Sequence, residues 1–403
     1  MNSRLLRDIY LFHPACEMAV ANGTNSFQPN QRIRQFASDL QSLPAYLMKE
    51  TDFLLVEKNS VERCRQYFQH NDSFQQILSF EELLQKAKDD TVRLGALRPW
   101  GWSPVLHKKL TPLKPYLSES FSQSVVGEWK PGYKPLFSRL FALQLLTTLI
   151  RECPASYYIE SSLLAVSCGS IAEVKQQLRN HHKIVLKAPY SASGRGIQVV
   201  SVDNWRPFHE QWIAGVISRQ GRVMVEPHLH RSSDLGFQFH INDQGEVRSL
   251  GLSFFKTDET GQYIGNYLGL VNHPQAVLNE IGFSLDRLYA IGKKVQELIS
   301  RSEISCFHRG YLGVDALVFV DKRGRLRINP ILEINLRSTM GTVAISLEDR
   351  YLSDSQAGFM GIHFSATGSF SSFVKERQQR NGFSTLTPIE STTQFGAWMQ
   401  VDG

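Results

Sequence analysis

Three segments of this sequence hold residues whose types and spacing can do chemistry. The strongest is Asp315 followed, within Ile331-Leu332-Glu333-Ile334-Asn335-Leu336-Arg337, by Glu333, Asn335 and Arg337. Residues two apart on a strand face the same side, so Glu333 and Asn335 project together while Leu332, Ile334 and Leu336 point the other way. The runs from Val314 to Val320 and from Leu326 to Leu336, joined by Asp321-Lys322-Arg323-Gly324, read as a β-hairpin that can bring Asp315 onto the same face. Three oxygen donors without Cys or His suit a hard magnesium ion, which keeps waters and takes further ligands from nucleotide phosphates. Arg337 continues that face and suits neutralising charge on a transferring phosphoryl group or a substrate carboxylate. Each residue alone also fits the solvent side of a half-buried strand, and Arg337 a surface ion pair. Pro330 inside the second strand predicts an edge position or a bulge.

The second segment is Lys187-Ala188-Pro189-Tyr190-Ser191-Ala192-Ser193-Gly194-Arg195-Gly196, between two short strands. A small-residue loop lets backbone N–H groups approach phosphate oxygens, with the Lys187 ammonium beside them. It matches neither the Walker A pattern nor the Rossmann fingerprint, and an exposed hairpin tip is the competing description. The third is Val223-Met224-Val225-Glu226-Pro227-His228-Leu229, a strand that stops at a proline and so frees backbone groups to read an adenine edge. Asp234 can take ribose hydroxyls or simply belong to a turn. Lys256, Tyr263 and Asn266 lie in a polar, Gly-marked stretch that either lines an acceptor pocket or is a surface loop. Asn22 and Trp102 are the residues of the N-terminal region that could reach the same cleft.

These residues need elements to hold them. Ile9 to Phe12 and Phe53 to Val56 read as buried strands separated by a helix over Gln31 to Lys49, a strand-helix-strand pattern that implies a parallel sheet in the first hundred or so residues. Leu97 to Lys134, with Pro99, Pro104, Pro112, Pro115 and Pro131, is the expected linker. Leu136 to Arg151 reads as a helix. From Lys183 onward short β-rich runs predict a mixed sheet, with helices over 171–179, 205–219 and 284–301.

The 403 residues are 42% apolar and 20% charged, which excludes a disordered, fibrous or disulfide-scaffold chain and permits a large core. The 44 Lys and Arg against 38 Asp and Glu give a net +6, compatible with basic groups round a polyanion or with solvated surface. No block of like charges suggests nucleic acid as a partner. Five scattered cysteines without a C-x-x-C pair suit a reducing compartment. No apolar run of signal-peptide length precedes His13, and none reaches the roughly 20 residues of a spanning helix. A cytoplasmic location without a membrane partner is the expectation.

The order of Lys187 and its glycine-rich loop, the strand ending at Glu226, and the D…E-x-N hairpin resembles the ATP-grasp superfamily. His13-Pro14-Ala15-Cys16-Glu17-Met18 and Trp100-Gly101-Trp102-Ser103-Pro104 resemble fixed features of one bacterial branch of it. The resemblance implies an α/β chain in which a Rossmann-like preATP-grasp domain (1–130) precedes a two-subdomain α+β grasp. A lid subdomain with its leading helix (131–227) and a C-terminal subdomain (228–370) would hold ATP between them, and the packing of the tail (371–403) stays open. Carried over by position, it gives Lys187 a phosphate contact and Ser191, Ser193, Gly194, Arg195 and Gly196 a lid over the triphosphate. Glu226, Pro227, His228 and Leu229 become the adenine hinge and Asp234 the ribose contact, one residue late. Arg139 stands where the superfamily has a first basic ATP contact, usually Lys. Asp315, Glu333 and Asn335 would hold magnesium, or manganese in its place, with Arg337 at the reacting centre. Gly313 stands where amino-acid-ligating members often carry an arginine.

The implied chemistry is transfer of the ATP γ-phosphoryl group to the carboxylate of a small molecule or peptide, giving an acyl phosphate that an amine attacks. Positioning and electrostatics dominate such a reaction. A small-molecule kinase and a non-catalytic nucleotide-binding or partner-binding protein are the rivals. A homodimer is the expected form of any oligomer.

Overall fold

The computed structural model describes residues 5–69, 76–191, 196–258, 261–366 and 370–402. Near its start, β1 (Leu6–Leu11) leads into the short helix α1 (Cys16–Asn22) and then α2 (Gln31–Asp39). The strands β2 (Phe53–Leu55), β3 (Ile77–Leu78) and β4 (Arg93–Pro99) alternate with α3 (Val61–Gln69) and α4 (Phe80–Lys88). They form a parallel sheet in the order β3-β2-β1-β4. The apolar strand runs are buried, as expected where helices cover a parallel sheet. Helix α4 starts at a reciprocal capping box between Ser79 and Glu82. The helix expected over Gln31 to Lys49 stops at Asp39, and a 3₁₀ turn over Leu43–Leu47 with Pro44 in its first turn replaces the rest.

The proline-rich stretch is not a linker. It folds into α5 (Pro104–Leu110), α6 (Glu119–Ser122) and two 3₁₀ turns, and buries Trp102, Leu106, Leu110, Leu113 and Phe121 in the core of the first sheet. Pro104, Pro112 and Pro131 occupy first-turn positions, where a missing N–H costs nothing.

Helix α7 (Arg139–Glu152), capped by Ser138, then crosses to the second sheet. The strands β5 (Val166–Cys168), β6 (Lys183–Lys187), β7 (Ile197–Ser201) and β8 (Val223–Pro227) pair antiparallel in the order β5-β8-β6-β7. Helices α8 (Ile171–His181) and α9 (Pro207–Gln220) cover it and complete a separate small core.

The third sheet has eight strands. Those before the last helix are β9 (His230–Ile241), β10 (Val247–Thr257), β11 (Tyr263–Leu268), β12 (Gly310–Val320), β13 (Leu326–Asn335) and β14 (Gly358–Phe364). Helices α10 (Pro274–Ile281), α11 (Leu285–Arg301), α12 (Glu303–Phe307) and α13 (Met340–Tyr351) intervene, and α14 (Phe370–Arg377), β15 (Phe383–Thr385) and β16 (Phe395–Val401) follow. The order is β13-β12-β9-β10-β11-β14-β16-β15, antiparallel throughout, so the expected mixed sheet is wrong for both later sheets. The main core packs α7 and the Leu288, Ile291, Val295, Leu298 stripe of α11 on one face.

The tail is integral. Its strands extend this sheet, the Tyr46 hydroxyl donates to the Leu386 carbonyl at 3.0 Å, and Asp39 accepts from the Gln394 and Phe395 amides. One apolar core runs from Leu40, Tyr46 and Leu54 of the first domain to Val343, Leu347, Met360 and Phe395. No helix among the described residues is long and apolar enough to cross a membrane.

Candidate active site

The β12–β13 hairpin sits at one edge of the third sheet and sets Asp315 directly opposite Glu333 and Gly313 opposite Asn335. Facing residues on an antiparallel pair share a side, so Asp315, Glu333 and Asn335 occupy one surface. The register slips after Asp315: two steps along β12 match four along β13, and Pro330 lies in that bulge at the sheet edge. Asn335 Nδ2 donates to Asp315 Oδ2 at 3.1 Å. Burial, and next the facing Glu333 carboxylate, push the Asp315 carboxyl up to about 7.

Arg337 lies just beyond. Its Nε donates to Glu17 Oε1 at 2.6 Å, one Nη to Asn335 Oδ1 at 3.0 Å and the other to the Ser338 carbonyl at 3.1 Å. Three of five guanidinium hydrogens are thereby fixed. Glu17 comes from the first turn of α1, in the opposite domain; it is buried, and its Oε2 has no partner among the described residues. Burial raises its pKa although Arg337 opposes the shift. The backbone also holds the two domains together here: Gly101 bridges Arg337, and the Ser338 amide donates to the Trp100 carbonyl at 2.7 Å. A side chain at Gly101 would come within 2.5 Å of Cys16 Sγ and 2.9 Å of Arg337 Cβ. That is the physical content of the Trp100-Gly101-Trp102 motif.

Arg139, the first residue of α7, crosses from the other side. Its Nη2 donates to both Glu333 oxygens at 2.9 Å, and its Nη1 to the Ala188 carbonyl at 2.7 Å and to Ser191 Oγ. The backbone amide of Arg139 donates to the Pro189 carbonyl at 3.0 Å. The helix start thus ties the hairpin to the loop after β6. Gly196 closes that loop with φ +69, its carbonyl accepting from the Ala188 amide. Ser193, Gly194 and Arg195 lie outside the described residues.

On the second sheet Lys187, Met224 and Glu226 share a face, and Lys187 Nζ donates to Glu226 Oε2 at 2.6 Å. Met224, Glu226 and Leu229 line a cleft with Arg139, Ile331 and Leu332, while Pro227 is buried and His228 is exposed. The cleft lies between the second sheet and β13, with room for about 20 Å³. Asp234 is held by Arg231 at 2.6 Å and by the Thr257 hydroxyl at 2.9 Å.

The other expected positions are spent differently. Tyr263 donates to Asn266 Oδ1 at 2.6 Å, and the Asn266 amide donates to the Phe254 carbonyl. Lys256 is exposed and alternates to the face opposite Asp234. Asn22 is exposed and accepts from Thr24. At Gly313 a side chain would lie 2.7 Å from Thr339 and 2.9 Å from Gln238, so an arginine does not fit there. Sequence reasoning gave Glu17 no role. Its signal is a carboxylate between Cys16 and Ala19 on the buried side of an otherwise apolar helix.

Among the described residues no three His, Cys, Asp or Glu side chains converge into a self-sufficient metal site. Two carboxylates and an amide oxygen on one face fit instead a hard cation that takes its remaining ligands from water and phosphate.

Comparison of the whole fold with solved structures decides the class. A structure of N5-carboxyaminoimidazole synthetase from Staphylococcus aureus, complexed with ADP, superposes with TM-score 0.52 over 99% of this chain and 95% of that one, at 10% identity. Biotin carboxylase from Campylobacter jejuni, in complex with β-γ-ATP, gives 0.52 over 100% and 89%, at 13% identity. The biotin carboxylase domain dimer of the Hydrogenobacter thermophilus 2-oxoglutarate carboxylase, with MgADP, ADP and bicarbonate, gives 0.51 over 98% and 86%, at 12% identity. The chain has the ATP-grasp fold. In ATP-grasp terms, the parallel sheet is the preATP-grasp domain and the two antiparallel sheets are the halves of the grasp. No family model and no curated protein matches the sequence.

Proposed function

We propose that this protein is an ATP- and magnesium-dependent ligase that activates a small-molecule or peptide carboxylate as an acyl phosphate for attack by an amine. The observation that carries the reading is the face formed by Asp315, Glu333 and Asn335, flanked by Arg337 and by Arg139, which also reaches the loop after the Lys187 strand and lines the cleft of Met224, Glu226 and Leu229. The nucleotide complexes of the similarly folded synthetase and carboxylases support a nucleotide in that cleft. The domain limits near residues 130 and 227 belong to the same reading.

In it, Met224, Glu226 and Leu229 surround the adenine, and Lys187 leaves Glu226 to meet phosphate oxygens. Arg139 and Lys187 neutralise the charge that otherwise keeps two anions apart. Bound magnesium would be held by Asp315, Glu333 and Asn335 and would supply positive charge between phosphate oxygens. Arg337, its orientation fixed by Glu17 and Asn335, has two N–H donors left for an acceptor oxyanion. The acceptor's place is the second cleft that Arg337 lines, between the first and third sheets, with Arg98, Trp100, His240, Arg309 and Tyr311. Arg98 is already paired with Asp8 and Asp243, whereas among the described residues Arg309 donates only to backbone carbonyls and can turn to an anion.

The test is calorimetric titration with a non-hydrolysable ATP analogue, with and without magnesium, followed by a phosphate-release screen of carboxylate and amine pairs. Magnesium-dependent binding lost in the Glu333→Ala/Asn335→Ala variant is the expected result. A phosphorylated product that persists without an amine would make the enzyme a kinase, and no nucleotide binding by folded protein would end the reading.

A further inference from the structure

Most of the oxygens suited to a cation already accept hydrogens from the protein, those of Glu333 and Asn335 from two arginines. Both Glu333 oxygens accept from Arg139 Nη2 at 2.9 Å, and Asn335 Oδ1 accepts from Arg337 at 3.0 Å. One Asp315 oxygen accepts from Asn335 at 3.1 Å. The second Asp315 oxygen is the one potential ligand oxygen of this face that accepts no protein hydrogen among the described residues. The phosphate-facing cation of the second sheet is occupied in the same way, Lys187 by Glu226 at 2.6 Å. Arg139 is buried, and its guanidinium touches three things at once: Glu333, the Ala188 carbonyl and Ser191 on the loop after β6.

Resting on the nucleotide reading above, we propose that Arg139 is a nucleotide-sensing residue that keeps free divalent metal off Glu333. A divalent ion arriving alone has to strip Arg139 from both oxygens of a partly buried carboxylate and leave that buried guanidinium without its counter-charge, which is strongly unfavourable. A nucleotide changes the exchange. Its phosphates offer Arg139 and Lys187 new anions, so Glu333 is released as the metal arrives and no charge is left unpaired. Metal binding is then conditional on nucleotide, and by reciprocity metal strengthens nucleotide binding by the same factor. An arginine does this better than lysine because its two terminal nitrogens serve separate partners, Nη2 the Glu333 oxygens and Nη1 the loop after β6, which one ammonium nitrogen cannot do in the same geometry.

The test uses Mn²⁺ as the probe, followed by its free-ion electron paramagnetic resonance signal and by calorimetry, on wild-type protein and on Arg139→Gln, each with and without ADP. Wild-type protein without ADP is expected to bind Mn²⁺ weakly, and ADP to strengthen it at least tenfold. Arg139→Gln is expected to gain at least tenfold in Mn²⁺ affinity without ADP, and to lose that gain when Glu333→Gln is added. Arg139→Lys, which keeps the charge at the helix start, guards against misfolding and should fall between. Equal Mn²⁺ affinity of wild type and Arg139→Gln without ADP overturns the proposal, and leaves the nucleotide reading standing if ADP still sharpens Mn²⁺ binding. Absence of Mn²⁺ binding in every variant even with ADP overturns both.

Discussion

The pair of Glu17 and Arg337 offers a quantitative check, because it is the polar contact through which the N-terminal domain reaches the acidic face. The side chains are 8% and 14% exposed and meet at 2.6 Å. Removing one partner of such a pair leaves a buried charge, so Glu17→Met and Arg337→Met should each lower stability by about 3 to 5 kcal/mol. The double substitution removes both charges together. It also removes Glu17 Oε2, which has no partner to lose. The desolvation cost of both ions disappears with them, and the double variant should lie within about 2 kcal/mol of wild type. The cycle therefore predicts a coupling energy of about 4 kcal/mol or more, far above the 0.2–1 kcal/mol typical of an exposed pair. Urea denaturation of the four proteins, followed by tryptophan fluorescence, measures it. A double variant as unstable as the sum of the singles would refute the account of Arg337 as a residue oriented across the domain boundary.

Three further outcomes follow from single contacts. Gly101→Ala places a methyl group within 2.5 Å of the buried Cys16 sulfur, so a loss of about 1 to 3 kcal/mol is expected in the same denaturation assay. Glu348 is pushed up to about 7 by burial, with Asp349 beside it adding to the shift, Tyr289 facing it, and its carboxylate accepting the Gly269 amide at 2.9 Å. Because the folded state holds that proton more tightly than an unfolded carboxyl at 4.5, stability falls as pH rises from 4.5 to 7 and levels off above. Glu348→Gln should thus gain up to about 3 kcal/mol at pH 8 and little at pH 4.5; an equal effect at both pH values would contradict the assignment. Truncation before Phe383 strips Leu386, Phe395, Ala397 and Met399 from the shared core. It should lower the melting temperature by more than about 10 °C, since each kcal/mol moves a domain of this size by about 2 to 4 °C, and a melting temperature left unchanged would mean the tail is dispensable.

The hairpin was legible because its information is local. Alternation about Glu333 and Asn335 tells which side chains share a face, and Pro330 announces the edge bulge that the register shows. The contacts that complete the site were not, because they join residues far apart in the chain: Arg139 and Glu333 are separated by 194 positions, Arg337 and Glu17 by 320. The proline-rich stretch misled for a different reason. Proline reads as a breaker in a composition, yet at a helix's first turn it is compatible with the helix, and only the burial of Trp102, Leu106 and Phe121 tells the two apart. The tail hid its strands because β15 is three residues long and pairs only with β16, a partner ten residues downstream.

The cores set the acidic face and the Lys187 strand on different parts of the molecule. Asp315, Glu333 and Asn335 hang from β12 and β13, whose apolar residues belong to the main core with α7 and α11, and a second core joins the N-terminal domain to the same sheet from Tyr46 and Leu54 through Val343 to Phe395. Lys187 and Glu226 belong to a sheet with a core of its own; Arg139 with the Ala188 and Pro189 carbonyls and Ser191 is one contact that crosses to the rest, and Lys134 over the Tyr190 ring is another. The cleft between them is lined by Met224, Glu226 and Leu229 on one side and by Ile331 and Leu332 on the other, together with Arg139. If, as proposed, a nucleotide lies in this cleft, the contacts it has to rearrange are those that Arg139 makes with Glu333 and with the loop after β6. On that reading the guanidinium that covers Glu333 also ties the loop after β6 to the hairpin, so rearranging the loop and uncovering Glu333 are coupled through one side chain.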